Sequence, residues 1–310
     1  MKNKIILFYK YVNIQHPKST QKEQFRLCQD LGLKGRIILA EEGINGTLGG
    51  PIDKIETYKK IMDDHDLFNN IDFKESEGSA DDFPRLRIVI KNEIVHLGCD
   101  PQEVTCKDGG QHVSPEEAHH LMEEAPEDLV ILDTRNDYEA RIGTFVHKKA
   151  PTLIPPKKNF REFPEYIDEN LEKLKGKKVL MACTGGIRCE RASAYVNKKG
   201  IAKKVYQING GIHRYVEKYP DGYFRGKNYV FDSRIAIRVN DDILAECDLC
   251  CAPCDDYTNC INAQCNNHFI ACNTCKETYN NSCSQECQQA LVNGTAPKRK
   301  RPLPQPGVHK

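Results

Sequence analysis

Tryptophan is absent from the 310 residues, and methionine occurs only four times. Aromatic stacking on a base would therefore fall to the 13 tyrosines and 11 phenylalanines. Long apolar runs are missing too. The stretches at 5–9 and 130–132 are far short of the ~20 residues that a membrane-spanning helix requires. Lys2 and Lys4 precede only five apolar residues before Lys10, whereas a secretory core needs roughly 7–15. Neither a signal peptide nor a membrane span is expected, and the expected compartment is the cytoplasm. Charge of one sign is also lacking: 45 Lys+Arg stand against 44 Asp+Glu, a net +1. That balance excludes a protein that binds nucleic acid through bulk basicity, while leaving local patches open. Cysteine, by contrast, is abundant. Ten of the 15 lie between Cys247 and Cys287, and in a reducing compartment such a cluster points to metal rather than disulfides.

The length predicts two or three domains of ~100–150 residues each. Over 1–95, strands are expected at 5–12, 35–40, 44–48, 73–76 and 85–90, with helices at 20–31 (capped by Ser19) and 52–65 (opened by Pro51). The order β-α-β-β-α-β fits a ferredoxin-like, acylphosphatase-like α+β domain. Residues 96–113 read as a linker of turn chemistry. Over 114–225, strands alternate with helices, which implies an α/β domain with a parallel sheet; Ser114 followed by Pro-Glu-Glu opens its first helix. Residues 226–290 form a Cys-rich module. Residues 291–310 read as a disordered basic tail, in which the run 298–301 is a solvated charge cluster or a contact for RNA phosphates.

One loop carries chemistry. Cys183, Thr184, Gly185, Gly186, Ile187, Arg188 and Cys189 lie between a buried strand and a helix start. Loop amides and the helix dipole favour an anion there, so Cys183 is expected to be partly thiolate. Gly185 and Gly186 let the loop curl, and Arg188 adds a cation. This is a nucleophile's setting. Cys189 caps the helix or acts as a redox partner.

The segment 179–193 (VLMACTGGIRCERAS) resembles the active loop of rhodanese domains, in which the first cysteine carries a persulfide; Cys183 occupies that position. Cysteine phosphatases with a similar loop use Cys-x5-Arg, and the shorter Cys-x4-Arg ring here suits sulfane sulfur better than phosphate. Asp133-Thr-Arg135 resembles the rhodanese Asp-x-Arg segment, with Asp133 expected to tie down backbone. The Gly-His-Ile signature is degraded at 143–148, and His147 is expected at the surface. A closer resemblance rests on four further segments. These are 35–50 (GRIILAEEGINGTLGG), 209–215 (NGGIHRY), 226–232 (GKNYVFD) and the terminal cysteines. Together they make the chain similar, over about residues 1–290, to the rhodanese-related tRNA uridine hydroxylases. The resemblance implies O2-dependent conversion of the wobble uridine of tRNA to 5-hydroxyuridine, with tRNA as partner and neither membrane nor DNA. It names no electron donor and no oligomeric state. The residues themselves predict a thiol step. Thiolate addition at carbon 6 of uracil would activate carbon 5, with Cys183 as the essential group and Arg188 and Cys189 beside it. His65, His119, His120 and His213 offer no iron-triad spacing. Glu42, Asn45 and Thr47 either face the Cys183 loop across a domain boundary or grip RNA. Lys34, Arg36, Arg85 and Arg87 are solvated charges or phosphate contacts.

The cysteine cluster gives the pairs Cys247/Cys250, Cys260/Cys265, Cys272/Cys275 and Cys283/Cys287, with Cys251 and Cys254 as a second frame over the first. Eight thiolates match two structural zinc ions. Cys254 is counted among the candidate ligands, His268 is a substitute, and an iron–sulfur cluster is the rival. The spacing leaves open which pairs share an ion. Two other functions stay in play: a persulfide sulfurtransferase, and a non-enzymatic RNA-binding adaptor.

Overall fold

The structure is a computed structural model, described here for residues 2–299. Among these, no helix is long and apolar enough to cross a membrane. The N-terminal unit comprises β1 (Asn3–Tyr11), α1 (Pro17–Asp30), β2 (Lys34–Ala40), β3 (Gly43–Pro51), α2 (Ile52–Asp63), β4 (Lys74–Glu77) and β5 (Leu86–Ile90). Its sheet runs β4-β1-β3-β2-β5. The first four strands form the antiparallel ferredoxin-like sheet, and β5 adds to its edge parallel to β2. The strand at 85–90, expected to close the motif, is thus a fifth strand, and the short strand at Lys74–Glu77 closes it instead. α1 begins at Pro17 after His16 rather than at a Ser19 cap, because proline fits the first helical turn.

Side-chain alternation in these strands decides where the site lies. Ile6, Phe8, Ile37, Leu39, Ile44, Leu48 and Ile88 point to one face and pack with Ile55, Tyr58 and Met62 of α2. Leu7, Tyr9, Arg36, Ile38, Asn45 and Thr47 point to the other and line a cleft against the second unit.

The second unit holds β6 (Gln111–Val113), α3 (Pro115–Glu124), β7 (Leu129–Asp133), α4 (Asp137–Arg141), β8 (Gly143–Phe145), β9 (Thr152–Leu153), α5 (Phe163–Glu169), α6 (Leu171–Leu174), β10 (Lys178–Ala182), α7 (Ile187–Lys199), β11 (Lys204–Ile208) and α8 (Gly211–Lys218). Its sheet is parallel in the order β6-β11-β10-β7-β9. Such a sheet is buried on both faces, and β7 is buried at every residue. Ser114 caps α3 in a reciprocal capping box with Glu117. The stretch 96–113 is not a free linker. It carries Leu97 and Val104 into the core, Arg191 of α7 donates to the carbonyls of Cys99 and Val104, and β6 joins the sheet.

The third unit contains β12 (Phe224–Tyr229), β13 (Ala236–Arg238), β14 (Tyr257–Asn259), β15 (His268–Ile270), α9 (Asn273–Thr278) and α10 (Gln285–Val292). β12 pairs with β8 and so fastens this unit to the second. Residues 291–299, expected to be disordered, complete α10 and fold back. Arg299 donates from its backbone to Ile261 and from its guanidinium to the carbonyls of Cys260, Asn262 and Cys265. The rest of the expected tail, 300–310, lies outside the described residues.

Candidate active site

Cys183 follows the last residue of β10, and α7 begins four residues later. Between them the loop is held from both sides. Gly186 takes φ +99° as the cap of α7, a conformation costly for residues with a Cβ. Gly211 lies so close that a Cβ there would stand 2.4 Å from the Cys183 carbonyl oxygen and 2.6 Å from the Gly186 nitrogen. Ile212 and His213, in the first turn of α8, donate their amides to the carbonyls of Cys183 and Thr184 at 2.9 and 3.0 Å. With those carbonyls engaged, loop amides are left for the sulfur. Gly186 donates to Cys183 Sγ at 3.1 Å, and the amides of Arg188 and Cys189 also support it.

Burial of Cys183 is complete and by itself would raise its thiol pKa. The Cys189 thiol, the Arg188 charge and these amides outweigh burial and hold Cys183 well below the ordinary thiol value. Cys189 moves the opposite way: burial, and then its hydrogen bond to Cys183, push it up. The thiolate is thus favoured at Cys183 and the thiol at Cys189, and Thr134 Oγ1 lies 3.5 Å from the Cys189 sulfur. Arg188 is not a free cation. Its guanidinium makes a buried bidentate pair with Glu139 at 2.6 and 2.7 Å, so part of its charge is spent on α4. Thr184 Oγ1 donates to the Tyr229 carbonyl, which seats the loop on the third unit. Gly185 faces Leu7, and Ile187 lines the cleft.

The cleft has a volume of about 600 Å³ and lies between the open face of the N-terminal sheet and this loop. Asn45 and Thr47 line it together with Cys183, whereas the Glu42 carboxylate accepts from the Ile94 amide at 2.7 Å. Residues that sequence reasoning missed stand on this cleft, as Tyr9 does, or behind its walls. Tyr9 donates to Glu190 at 2.9 Å, and His112 lies 3.2 Å from the other Glu190 oxygen. Lys74, buried, sits 4.7 Å from the centre of the Tyr9 ring. Lys157, under the loop, donates to the carbonyls of Thr134 and Arg135, and burial pulls its pKa down to about 7. Glu139 is the partner that a lone Arg188 in the sequence left unnamed. Asp133 accepts from the Arg135 backbone and guanidinium, fully buried. His147 accepts from the amides of Lys149 and Ala150 and so shapes a turn.

The cysteines of the third unit converge in two sets: Cys247, Cys250, Cys272 and Cys275, and Cys260, Cys265, Cys283 and Cys287, each with all sulfurs within 4.8 Å of one another. Pairs one and three thus combine, as do two and four. Sulfurs placed ~2.3 Å from one central ion in a tetrahedron are about 3.8 Å apart. Cys250–Cys272 at 3.7 Å, Cys265–Cys283 at 3.6 Å and Cys283–Cys287 at 3.8 Å fit that spacing. A multi-iron cluster would spread its sulfurs over several metal centres and demand wider separations. Cys254, counted as a ligand from spacing alone, lies outside both sets; it is buried in the apolar cluster around Tyr257. His268 is outside them too, stacked on Tyr257 at 4.4 Å. Among the described residues, no further group of three His, Cys, Asp or Glu ligand atoms comes together. His119 stacks on Tyr219, and His120 faces Glu124.

Comparison with known proteins matches the three units in turn. Residues 3–94 match the UPF0176 acylphosphatase like domain, 114–218 the rhodanese-like domain, and 225–288 the rhodanase C-terminal family. A tRNA uridine(34) hydroxylase of Bacillus licheniformis is 39% identical over 302 residues, covering 93% of this chain and 89% of that protein. The chain belongs to the tRNA uridine(34) hydroxylase family. Its relatives of that name in Aster yellows witches'-broom phytoplasma (38% identical, 91% of each chain) and Corynebacterium diphtheriae (38%, 92% of this chain and 93% of that one) span all three units. Among solved structures, a rhodanese-like domain from Anabaena, 16% identical, covers 37% of this chain and 78% of its own with a TM-score of 0.30.

Proposed function

We propose that this protein hydroxylates the wobble uridine of tRNA, using O2, at carbon 5 of the ring. Family membership supports the reaction and the substrate. The single structural observation that carries the assignment to a site is the Cys183 thiolate at the wall of a cleft that two units build together. Its volume of about 600 Å³ is more than one uridine fills, and admits the base together with neighbouring parts of the strand. Cys183 adds to carbon 6 of the uracil, electron density builds on carbon 5, and one oxygen atom of O2 is bonded there. The second oxygen leaves as water with two electrons from a reductant and two protons. Loss of the carbon 5 proton and expulsion of the thiolate restore the ring. The loop amides and Arg188 hold the leaving thiolate, and the Cys189 thiol donates to it. Tyr9, linked through Glu190 to half-exposed His112, gives the cleft a hydrogen-bonded connection toward solvent.

The two cysteine quartets are read as structural zinc sites. Four thiolates leave no open position on either ion, so zinc would fix the third unit, on which Thr184 and the loop rest. A tRNA substrate supports a cytoplasmic protein. The test is incubation with tRNA lacking wobble modification, in air and under argon, followed by nucleoside mass spectrometry. Oxygen-dependent addition of one oxygen atom to uridine, abolished by Cys183→Ala, is the expected result. Formation of 2-thiouridine instead would transfer the loop to persulfide chemistry.

A further inference from the structure

A row of side chains crosses the open face of the N-terminal sheet. Strand register places Arg87, Arg36, Thr47, Leu7 and Lys74 side by side on β5, β2, β3, β1 and β4. Leu7 covers Gly185 of the Cys183 loop. With ~4.8 Å between strands, Arg36 stands about 10 Å from Leu7 along the row and Arg87 about 14 Å.

The cations of this row differ in how they are met. Lys74 is 3.0 Å from the Asp72 carboxylate. Arg36 has no such partner among the described residues: it lines the cleft, and its Nε is buried without a hydrogen-bond partner. The charged group that acts on it is Arg87, of like sign, and no carboxylate offsets it. Like charges directly opposite one another destabilise a sheet, and a half-buried cation without a partner adds a desolvation cost. Two guanidinium groups in register suit an oxyanion, which each can grip with paired N–H donors. Lys91, on the same cleft, adds a third positive charge.

We propose that Arg36 and Arg87 form an oxyanion site that holds a backbone phosphate of the RNA strand whose uridine reaches Cys183. This rests on the hydroxylase reading. The offset from the loop exceeds one uracil ring, so the anion belongs to a chain that continues past the reacting base. Its role is to fix the strand on the sheet, which sets the base at the sulfur.

The test uses the full-length protein and an RNA stem-loop with uridine at the wobble position. A second RNA carries uncharged methylphosphonates at the phosphates flanking that uridine. Binding is measured against salt, alongside hydroxylation rates and melting of the RNA-free protein. Arg36→Gln and Arg87→Gln should each weaken binding tenfold or more, with the loss falling on KM more than on kcat. The slope of log affinity against log salt should drop by ~0.7 for each phosphate that the variant no longer neutralises. Methylphosphonate RNA should bind wild type as weakly as ordinary RNA binds Arg36→Gln, with no further loss in the variant. Neither variant should melt below wild type, since each relieves a like-charge pair. Wild-type hydroxylation with unchanged RNA binding in both variants overturns the site and leaves the hydroxylase reading standing. Inorganic phosphate that raises the melting temperature of wild type but not of Arg36→Gln, with RNA binding equal in both, reassigns the site to a small anion and overturns the RNA contact. Marked destabilisation of both variants assigns the pair to the fold and overturns it as well. A wild type that neither binds nor hydroxylates the RNA overturns both readings.

Discussion

Cutting the Arg188–Glu139 pair from either side should move Cys183 in opposite directions while weakening the fold alike. The pair is bidentate, at 2.6 and 2.7 Å, with side-chain exposures of 8% and 0%. Removing one partner of such a pair strands a buried charge at a cost of about 3–5 kcal/mol. For 310 residues, with an unfolding entropy of roughly 0.65 kcal/mol/K, that corresponds to a fall in melting temperature of roughly 5–8 °C, expected for both Arg188→Met and Glu139→Gln. The effect on the sulfur has opposite signs. Arg188 holds the thiolate, so Arg188→Met should raise the Cys183 pKa by about one to three units. Glu139→Gln removes the carboxylate that shares the guanidinium, and the pKa should fall or stay at the wild-type value. Alkylation by iodoacetamide, followed at the peptide containing Cys183 across pH, reads this directly. Wild type should reach half its maximal rate below the ordinary thiol pKa of 9.0, Arg188→Met at higher pH, and Glu139→Gln at or below wild type. Equal upward shifts in both variants would refute the electrostatic account and leave the pair a purely structural clamp.

The depressed pKa of Cys183 also makes a statement about stability. Relative to Cys183→Ser, wild type should gain stability as pH rises from about 5 toward 9 and lose that gain as pH falls through the folded value, measured by denaturant melts at several pH values. Metal stoichiometry tests the interleaved quartets: Cys250→Ser and Cys265→Ser should each remove one of two ions, their combination both, and Cys250→Ser with Cys272→Ser only one. Cys254→Ser should retain two ions by native mass spectrometry; a loss there would return Cys254 to the ligand set.

Local features of the site were legible in the sequence, and relational ones were not. The strand, the paired glycines, Arg188 and the helix start are contiguous, so the loop and its nucleophile can be read from seven residues. Cys-x2-Cys spacing likewise announces metal. It cannot say which pairs join, because that depends on β14 and β15 bringing Cys260 and Cys272 to different ends of one hairpin module. Cys254 misled for the same reason: correct spacing from Cys251 is also compatible with a buried apolar cysteine. Glu139 lies 49 residues from Arg188, and nothing short of the fold connects them. Residues 96–113 looked like a linker because turn residues dominate the composition, while Leu97, Val104 and Val113, which reach the cores, are sparse.

The cleft itself had a sequence signal. A ferredoxin-like sheet with helices on one face should alternate apolar and polar residues along its strands when the other face meets water. The residues at 5–9 are Ile-Ile-Leu-Phe-Tyr, apolar at every position. Such a strand needs cover on both sides. Ile6 and Phe8 meet the helices, and Leu7 and Tyr9 meet the Cys183 loop and Glu190. On β2 and β5, Arg36 and Arg87 stand on that same covered face beside Ile38 and Val89, where alternation for solvent would have scattered charge freely. With Lys74, one strand the other way, met by Asp72, the sheet is apolar at Leu7 against the loop and carries Arg36 and Arg87 two and three strands away, a grading from base pocket to the proposed phosphate track. That gradient follows from strand register alone, and it gives the N-terminal unit a part in holding substrate that the rhodanese-like loop does not supply by itself.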